Sequence, residues 1–132
     1  MRPIVSKAVV LDSSALLCLL NGEAGAERVA EALPSAVIGA VNLAEVVTKL
    51  RERGLTVEEV EEALGGFNLD VRPFTAVQAY STGHLRQVTR SQGLSLGDRA
   101  CLALAAELGA PALTADQAWG KVEAGAIVEV IR

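Results

Sequence analysis

Four acidic residues stand where a parallel sheet could bring their carboxylates together. Asp12 follows the apolar run KAVVL, Glu45 comes shortly after AVIGA, and Asp116 follows PALT. The fourth acid, Asp98, begins a long helical stretch. Because the carboxyl ends of parallel strands share one edge of the sheet, these side chains are predicted to converge at that edge.

Converging carboxylates repel one another and need a counter-charge. Two unit charges about 4 Å apart repel by about 4 kcal/mol at an effective dielectric constant of about 20. No lysine or arginine adjoins Asp12, Glu45 or Asp116. Arg99, beside Asp98, is predicted to face another direction on its helix. A divalent cation is the simplest remaining partner. Oxygen ligands without histidine or thiolate suit Mg²⁺ or Mn²⁺, which also accept phosphate oxygens, so the pattern points to phosphodiester chemistry.

Each acid taken alone also has a purely structural interpretation. Glu45, three residues after Asn42, and Asp98, three residues after Ser95, have the spacing of a capping box. An acid in the first helical turn is stabilised by the helix dipole, typically by about 0.3–1 kcal/mol. The other two acids could cap helices in the same way. The metal-site hypothesis therefore depends on all four acids lying together.

The elements that must position these acids alternate between strands and helices. Strands are predicted at 7–12, 36–40, 69–72, 112–114 and 127–131. Helices are predicted at 13–21, 25–33, 42–53, 56–65, 75–92 and 96–108, with Gly83 as a candidate break in the fifth. This alternation indicates a parallel sheet covered on both faces. We therefore expect an α/β fold, a single domain over residues 1–132, with three α/β/α layers around about five strands.

Composition sets further limits on the fold and the location of the protein. About half of the 132 residues are hydrophobic, which is enough for a core without disulfides. Cys18 and Cys101 lie in apolar helical patterns and are predicted to be reduced core residues. No apolar run is long enough for a membrane span, and residues 1–7 lack the apolar segment of a signal peptide. A cytoplasmic protein is expected.

The net charge of −4 and the four aromatic residues argue against a broad surface for nucleic acid. Binding of nucleic acid would then require a local basic rim, a bound metal ion, or both. Arg86 and Arg90 on the fifth predicted helix, and the basic residues at positions 49, 51 and 53, fit such a rim. They fit a solvated helix surface equally well, and both interpretations stay open.

The motifs around the four acids resemble those of the PIN-domain nucleases, and within them the VapC-type toxins of toxin–antitoxin pairs. The resemblance covers nearly the whole chain through VVLDSSALL, NLAEVVTKL, LSLGDRACLALA and LTADQAW, in that order. It implies catalytic and metal-binding roles for the four acids Asp12, Glu45, Asp98 and Asp116, with the hydroxyl or amide neighbours Ser13, Asn42 and Thr114 supporting them. The family fold is the same three-layer parallel sheet.

The resemblance implies an endoribonuclease that uses Mg²⁺ or Mn²⁺ and hydrolyses RNA phosphodiester bonds. Asp12 and Asp98 are the expected direct ligands, while Glu45 and Asp116 would ligate through water or orient the attacking water. The family further implies a homodimer and a cognate antitoxin that blocks the acidic site, often with an arginine.

Three other functions are compatible with parts of this pattern. A housekeeping RNA-processing PIN nuclease would share the site but lack an antitoxin. A non-catalytic binding module would share only the fold. A phosphatase with Asp12 as nucleophile is disfavoured, because Ser14 stands where such enzymes place a second acid.

Overall fold

The computed structural model describes residues 8–121 and 124–132 and contains a five-stranded parallel sheet. The strands are β1 (Val9–Leu11), β2 (Ala36–Gly39), β3 (Asp70–Arg72), β4 (Ala112–Thr114) and β5 (Val128–Val130). Their order across the sheet is β3-β2-β1-β4-β5, and every neighbouring pair is parallel. The predicted parallel sheet is confirmed, although Lys7, included in the first predicted strand, lies outside the described residues.

Six α-helices and three short 3-10 turns connect these strands within the described ranges. The helices are α1 (Ser13–Asn21), α2 (Ala26–Ala32), α3 (Ala40–Glu52), α4 (Val57–Gly65), α5 (Ala76–Thr89) and α6 (Leu96–Leu108). The turns span Leu33–Ser35, Arg90–Gln92 and Gln117–Lys121. In the described part of the chain, no helix is both long and apolar enough to cross a membrane.

The central strand β1 divides the core into the two sides of a three-layer fold. Its alternate side chains point to opposite faces, as the pleat of a strand requires. Val10 packs with α6 residues such as Cys101 and Leu104, whereas Val9 and Leu11 pack with residues of α1 and α2. The predicted α/β/α architecture is confirmed, and both cysteines are buried and free as expected.

The strand register places the ends of β1, β2 and β4 at one edge of the sheet. Leu11 pairs with Ile38 of β2 on one side and with Leu113 of β4 on the other. Asp12 and Thr114, which follow Leu11 and Leu113, therefore come side by side. The carboxyl ends of these three strands meet at one edge, as predicted, because β1 lies between β2 and β4.

Two local predictions differ from the structure. The candidate break at Gly83 is wrong, since α5 continues through it to Thr89, and a Cβ at Gly83 would meet nothing within 4 Å. The turn Gln117–Lys121 was not predicted, and its Trp119 is fully buried in the core. A single helical turn is too short to show a hydrophobic period, so the sequence pattern could not reveal it.

Candidate active site

Asp12 is held at the junction of β1 and α1 by a set of hydrogen-bond donors. As the N-cap of α1, its Oδ1 accepts from the backbone N–H of Ala15 at 2.7 Å. Thr114 Oγ1 donates to Oδ2 at 2.6 Å. Ser14 Oγ lies 2.8 and 2.9 Å from the two carboxylate oxygens. The side chain is thus fixed in one orientation while only 2% of the residue is exposed.

The same hydroxyl groups connect Asp12 to the end of β4 and to Asp116. Thr114 Oγ1 accepts from the backbone N–H of Asp116 at 3.0 Å, and Ser14 Oγ accepts from the backbone N–H of Ala115 at 2.9 Å. Asp116 is exposed, and its Oδ1 accepts from the backbone N–H of Ala118 at 2.9 Å. The backbone of Asp116 is therefore connected to Asp12, while its carboxylate caps the next turn.

Burial raises the pKa of Asp12 from 3.8 to about 6. The hydrogen bonds from Thr114, Ala15 and Ser14 lower this pKa, but less than burial raises it. The negative charge of Asp98 raises it further. The hydrogen bonds to Asp12 therefore do not fully offset the free-energy cost of burying its ionised form.

On the helix side of the site, Glu45 of α3 lies against the start of α6. Asn42 Nδ2 donates to Glu45 Oε1 and to the carbonyl oxygen of Gly97, both at 3.1 Å. Asn42 is 1% exposed and Glu45 is half-buried. The amide of Asn42 thus ties the acid on α3 to the first turn of α6.

Asp98 forms a capping box at the start of α6. Its Oδ2 accepts from the backbone N–H of Ser95 at 2.9 Å, and its own N–H donates to Ser95 Oγ at 3.1 Å. Arg99 turns away, since its Nη1 donates to the carbonyl oxygen of Thr82 on α5 at 3.0 Å. The adjacent guanidinium is therefore used elsewhere, as predicted.

The negative charges of three of the four acids raise the pKa of one buried thiol, that of Cys101. Burial raises the pKa of the Cys101 thiol well above its usual value, and the negative charges of Asp12, Asp98 and Glu45 raise it further, in that order. Asp116 is connected to Asp12 through its backbone, since its N–H donates to Thr114 Oγ1, which donates to Asp12 Oδ2. The charges of Asp12, Asp98 and Glu45 thus act together at this edge of the sheet, while the carboxylate of Asp116 caps the following turn.

The acids are spaced more loosely than in a closed metal cage. Within residues 8–121 and 124–132, no group of three or more His, Cys, Asp or Glu side chains is arranged to hold a metal ion. Mg²⁺ usually binds through one or two carboxylates together with waters and substrate phosphates, so it does not need such a cage. The donor set, which is all oxygen, fits that kind of ion.

The described ion pairs leave the site acids without a cationic partner. These pairs join Arg28 to Glu31 and Glu129, Arg72 to Asp70, and Arg132 to Glu23. An open groove of about 570 Å³, lined by Ser13, Ser14 and Glu45 among others, leads along α1 and α3. A buried carboxylate, its acidic neighbours and an open groove together offer a place for a hydrated cation and an anionic substrate.

The structure changes one of the supporting positions inferred from sequence and adds another. Asn42 and Thr114 contact acids as predicted, but the hydroxyl against Asp12 belongs to Ser14 and not to Ser13. Ser14 bridges to β4 across the cap, while Ser13 lies along the groove. Gly97, against Glu45, was missed, although a glycine in the first turn of a helix is unfavourable enough to be a signal.

Comparisons with known proteins agree with this fold. The family model described as "PIN domain" matches residues 9–125. No curated protein matches the sequence.

Solved structures with a similar fold include three toxin–antitoxin complexes. A DNA-bound VapBC complex from Salmonella typhimurium has a TM-score of 0.73 at 20% identity, covering 95% of this chain and 98% of that one. A toxin–antitoxin complex from Klebsiella pneumoniae has a TM-score of 0.74 at 18% identity, with coverage of 95% and 98%. VapBC-5 from Mycobacterium tuberculosis has a TM-score of 0.62 at 24% identity, with coverage of 96% and 98%. At these low sequence identities, the matches show a similar fold.

Proposed function

Because the chain belongs to the PIN-domain family, we propose that it is a metal-dependent endoribonuclease and the toxin of a toxin–antitoxin pair. The observation that carries the proposal is the presence of Asp12, Glu45 and Asp98, which belong to three separate helices or their caps, around one edge of the sheet. The charges of all three raise the pKa of the buried Cys101 thiol. The backbone N–H of Asp116 donates to Thr114, whose hydroxyl donates to Asp12. Helix capping alone would not require the acids of separate helices to share one neighbourhood.

PIN domains generally use divalent metal ions, and Mg²⁺ or Mn²⁺ suits the oxygen donors of this site. Asp12 and Asp98 would hold the ion directly, with Glu45 and Asp116 contacting it through water or orienting the attacking water. When bound, the ion supplies Lewis-acid activation of water and neutralises charge on the phosphate. Burial raises the pKa of Asp12, and an adjacent cation would offset this effect by favouring the ionised form.

The polar neighbours of the acids would keep the carboxylates in position. Thr114 and Ser14 hold both oxygens of Asp12, and Asn42 holds one oxygen of Glu45. The capping bond of Asp98 uses Oδ2, so Oδ1 is the oxygen we assign to the ion. Such outer groups typically change metal affinity or activity by about 10–100-fold when they are removed.

RNA would enter along the groove beside Glu45 and be held by exposed basic side chains. Arg86 and Arg90 at the end of α5 are both exposed and are our candidates for phosphate contacts. Reversing both to glutamate should weaken RNA binding and reduce its salt dependence, as measured by fluorescence anisotropy over a salt series. Unchanged binding would assign these arginines to the solvated surface instead.

We also propose a protein antitoxin and a homodimer as the partners. Three solved relatives of similar fold are complexes of toxin with antitoxin, and an acidic site suits an arginine side chain from such a partner. For the dimer we assign the exposed face of α5, where Val77, Tyr80 and Val88 are 68%, 72% and 57% exposed. Light scattering should give the mass of a dimer, and Tyr80→Arg should reduce it to that of a monomer.

The decisive experiment compares the wild-type protein with Asp12→Asn. Asparagine keeps the size of the side chain and an acceptor for the Ala15 N–H, but removes the charge. We expect the wild type to cleave RNA with Mg²⁺ or Mn²⁺ and not with EDTA, and the folded variant to lose both cleavage and Mn²⁺ binding by calorimetry. Full activity in folded Asp12→Asn would contradict the assignment, and a wild type without activity or Mn²⁺ binding would favour a binding module.

A further inference from the structure

Gly97 occupies a position where its backbone gives no reason for a glycine. It lies in the first turn of α6, and its φ is not among the positive values that favour glycine. Apart from proline, glycine is the least favourable residue in a helix. Gly97 is buried, so contacts with its surroundings must explain why a side chain is missing.

The space that a side chain at this position would need is filled by Glu45. A Cβ built on Gly97 would lie 2.5 Å from Cδ and Oε1 of Glu45, and closer still to Oε2. Ordinary contact begins at about 3.4 Å, so all three atoms would clash. The bare Cα of Gly97 is therefore what allows the carboxylate to lie against the start of α6.

Asn42 fixes the same contact from the other side. Its Nδ2 donates one hydrogen to Glu45 Oε1 and the other to the carbonyl oxygen of Gly97. Both partners are acceptors, so the amide cannot turn over without bringing its own oxygen against them. Asn42 is 1% exposed, which keeps water from substituting for either bond.

We propose that Gly97 is a positioning residue, which together with Asn42 sets where the Glu45 carboxylate lies beside Asp98. The expected effect on metal binding rests on the proposed function, because Glu45 matters to catalysis only if the acids hold a metal ion. A methyl group at residue 97 would displace the flexible end of Glu45 more easily than the packed backbone of α6. The helix should therefore survive the substitution while the acid leaves its place.

The test compares Gly97→Ala with Gly83→Ala, a matched control inside helix α5 whose added Cβ would meet nothing within 4 Å. Both variants should melt within a few degrees of the wild type in EDTA. Gly83→Ala should bind Mn²⁺ with wild-type affinity, whereas Gly97→Ala should bind it at least about tenfold more weakly. Wild-type Mn²⁺ affinity in folded Gly97→Ala would overturn the proposal.

A double-mutant cycle separates positioning of Glu45 from a general effect on α6. If Gly97 acts through Glu45, Gly97→Ala should weaken Mn²⁺ binding in the wild type but add no further loss to Glu45→Ala. Equal losses in both backgrounds would overturn the proposal. Should Gly97→Ala fail to fold, recovery of folding in the double variant would locate the clash at Glu45, and no recovery would refute it.

A crystal structure of metal-free Gly97→Ala distinguishes failure of this inference from failure of the proposed function. Displacement of the Glu45 carboxylate from residue 97 supports the positioning role, whether or not the protein binds Mn²⁺. An unmoved carboxylate overturns it. Absence of Mn²⁺ binding in the wild type would instead count against the proposed function and leave the crystallographic result to decide the role of Gly97.

Discussion

Helices α4 and α6 begin with the same capping box in very different surroundings. In α4, Thr56 Oγ1 accepts from the Glu59 N–H at 3.1 Å, and Glu59 Oε1 accepts from the Thr56 N–H at 2.8 Å. In α6, the corresponding bonds between Ser95 and Asp98 are 3.1 and 2.9 Å. Local geometry therefore does not distinguish the two acids.

The difference between the two boxes comes from what the fold places around them. Thr56 and Glu59 are exposed. Asp98 is half-buried, and its charge raises the pKa of both Asp12 and Cys101. One motif can thus serve as a cap alone or as a cap that also presents a carboxylate to other acids. Only the second arrangement needs a counter-charge.

The largest expected effect comes from removing the charge of each capping acid in turn. Asp98→Asn and Glu59→Gln both keep an acceptor for the cap, so both proteins should fold. We expect Asp98→Asn to reduce RNA cleavage by at least about 1,000-fold, because a group that acts in the reaction is lost. Glu59→Gln should cleave at the wild-type rate. Single-turnover assays with Mn²⁺ measure the cleavage rates of both variants. Wild-type activity in Asp98→Asn would mean that Asp98, like Glu59, only caps its helix.

The second prediction concerns the pH dependence that the site acids impose on the metal-free protein. The pKa of Asp12 is about 6 in the folded protein against the usual 3.8 for an aspartate, so the folded state binds this proton more tightly than the unfolded state. Stability should therefore fall as pH rises from about 4 to about 6. The loss attributable to Asp12 is about 3 kcal/mol, and Asp12→Asn should remove it.

Urea unfolding in EDTA across this pH range measures how steeply the free energy of unfolding falls with pH. Asp98→Asn should reduce this slope slightly, because the charge of Asp98 is the smallest of the contributions to the Asp12 pKa. Glu59→Gln should leave it unchanged. A slope that is the same in the wild type and Asp12→Asn would show that other groups dominate the titration.

The sequence predicted the elements that position the site better than the contacts within it. Strand-ending acids and helix-ending glycines predicted α1, α6 and β4 at their observed bounds. The match at α1 is understandable, since Asp12 caps its start and Gly22 ends it in the left-handed conformation. These are local signals, which depend on a few neighbouring residues.

The contacts that the sequence did not predict are all tertiary. The choice between Ser13 and Ser14 depends on which hydroxyl faces β4, a strand about 100 residues away in the chain. The place of Gly97 depends on a glutamate from another helix. The difference between the two capping boxes is of the same kind, because it exists only after α6 is packed beside β1.

The smallest effect separates the two boxes through their hydroxyl groups. Ser95→Ala and Thr56→Ala each remove an N-cap acceptor, and each should lower the free energy of unfolding by about 1 kcal/mol. Only Ser95→Ala also removes the acceptor of the backbone N–H of Asp98, a residue that we assign to the site. It alone should therefore slow RNA cleavage, by about tenfold. Cleavage measured well below both melting temperatures excludes a stability effect. Equal rates in the two variants would mean that the backbone N–H of Ser95 orients Asp98 without help from the hydroxyl, since that bond survives in Ser95→Ala.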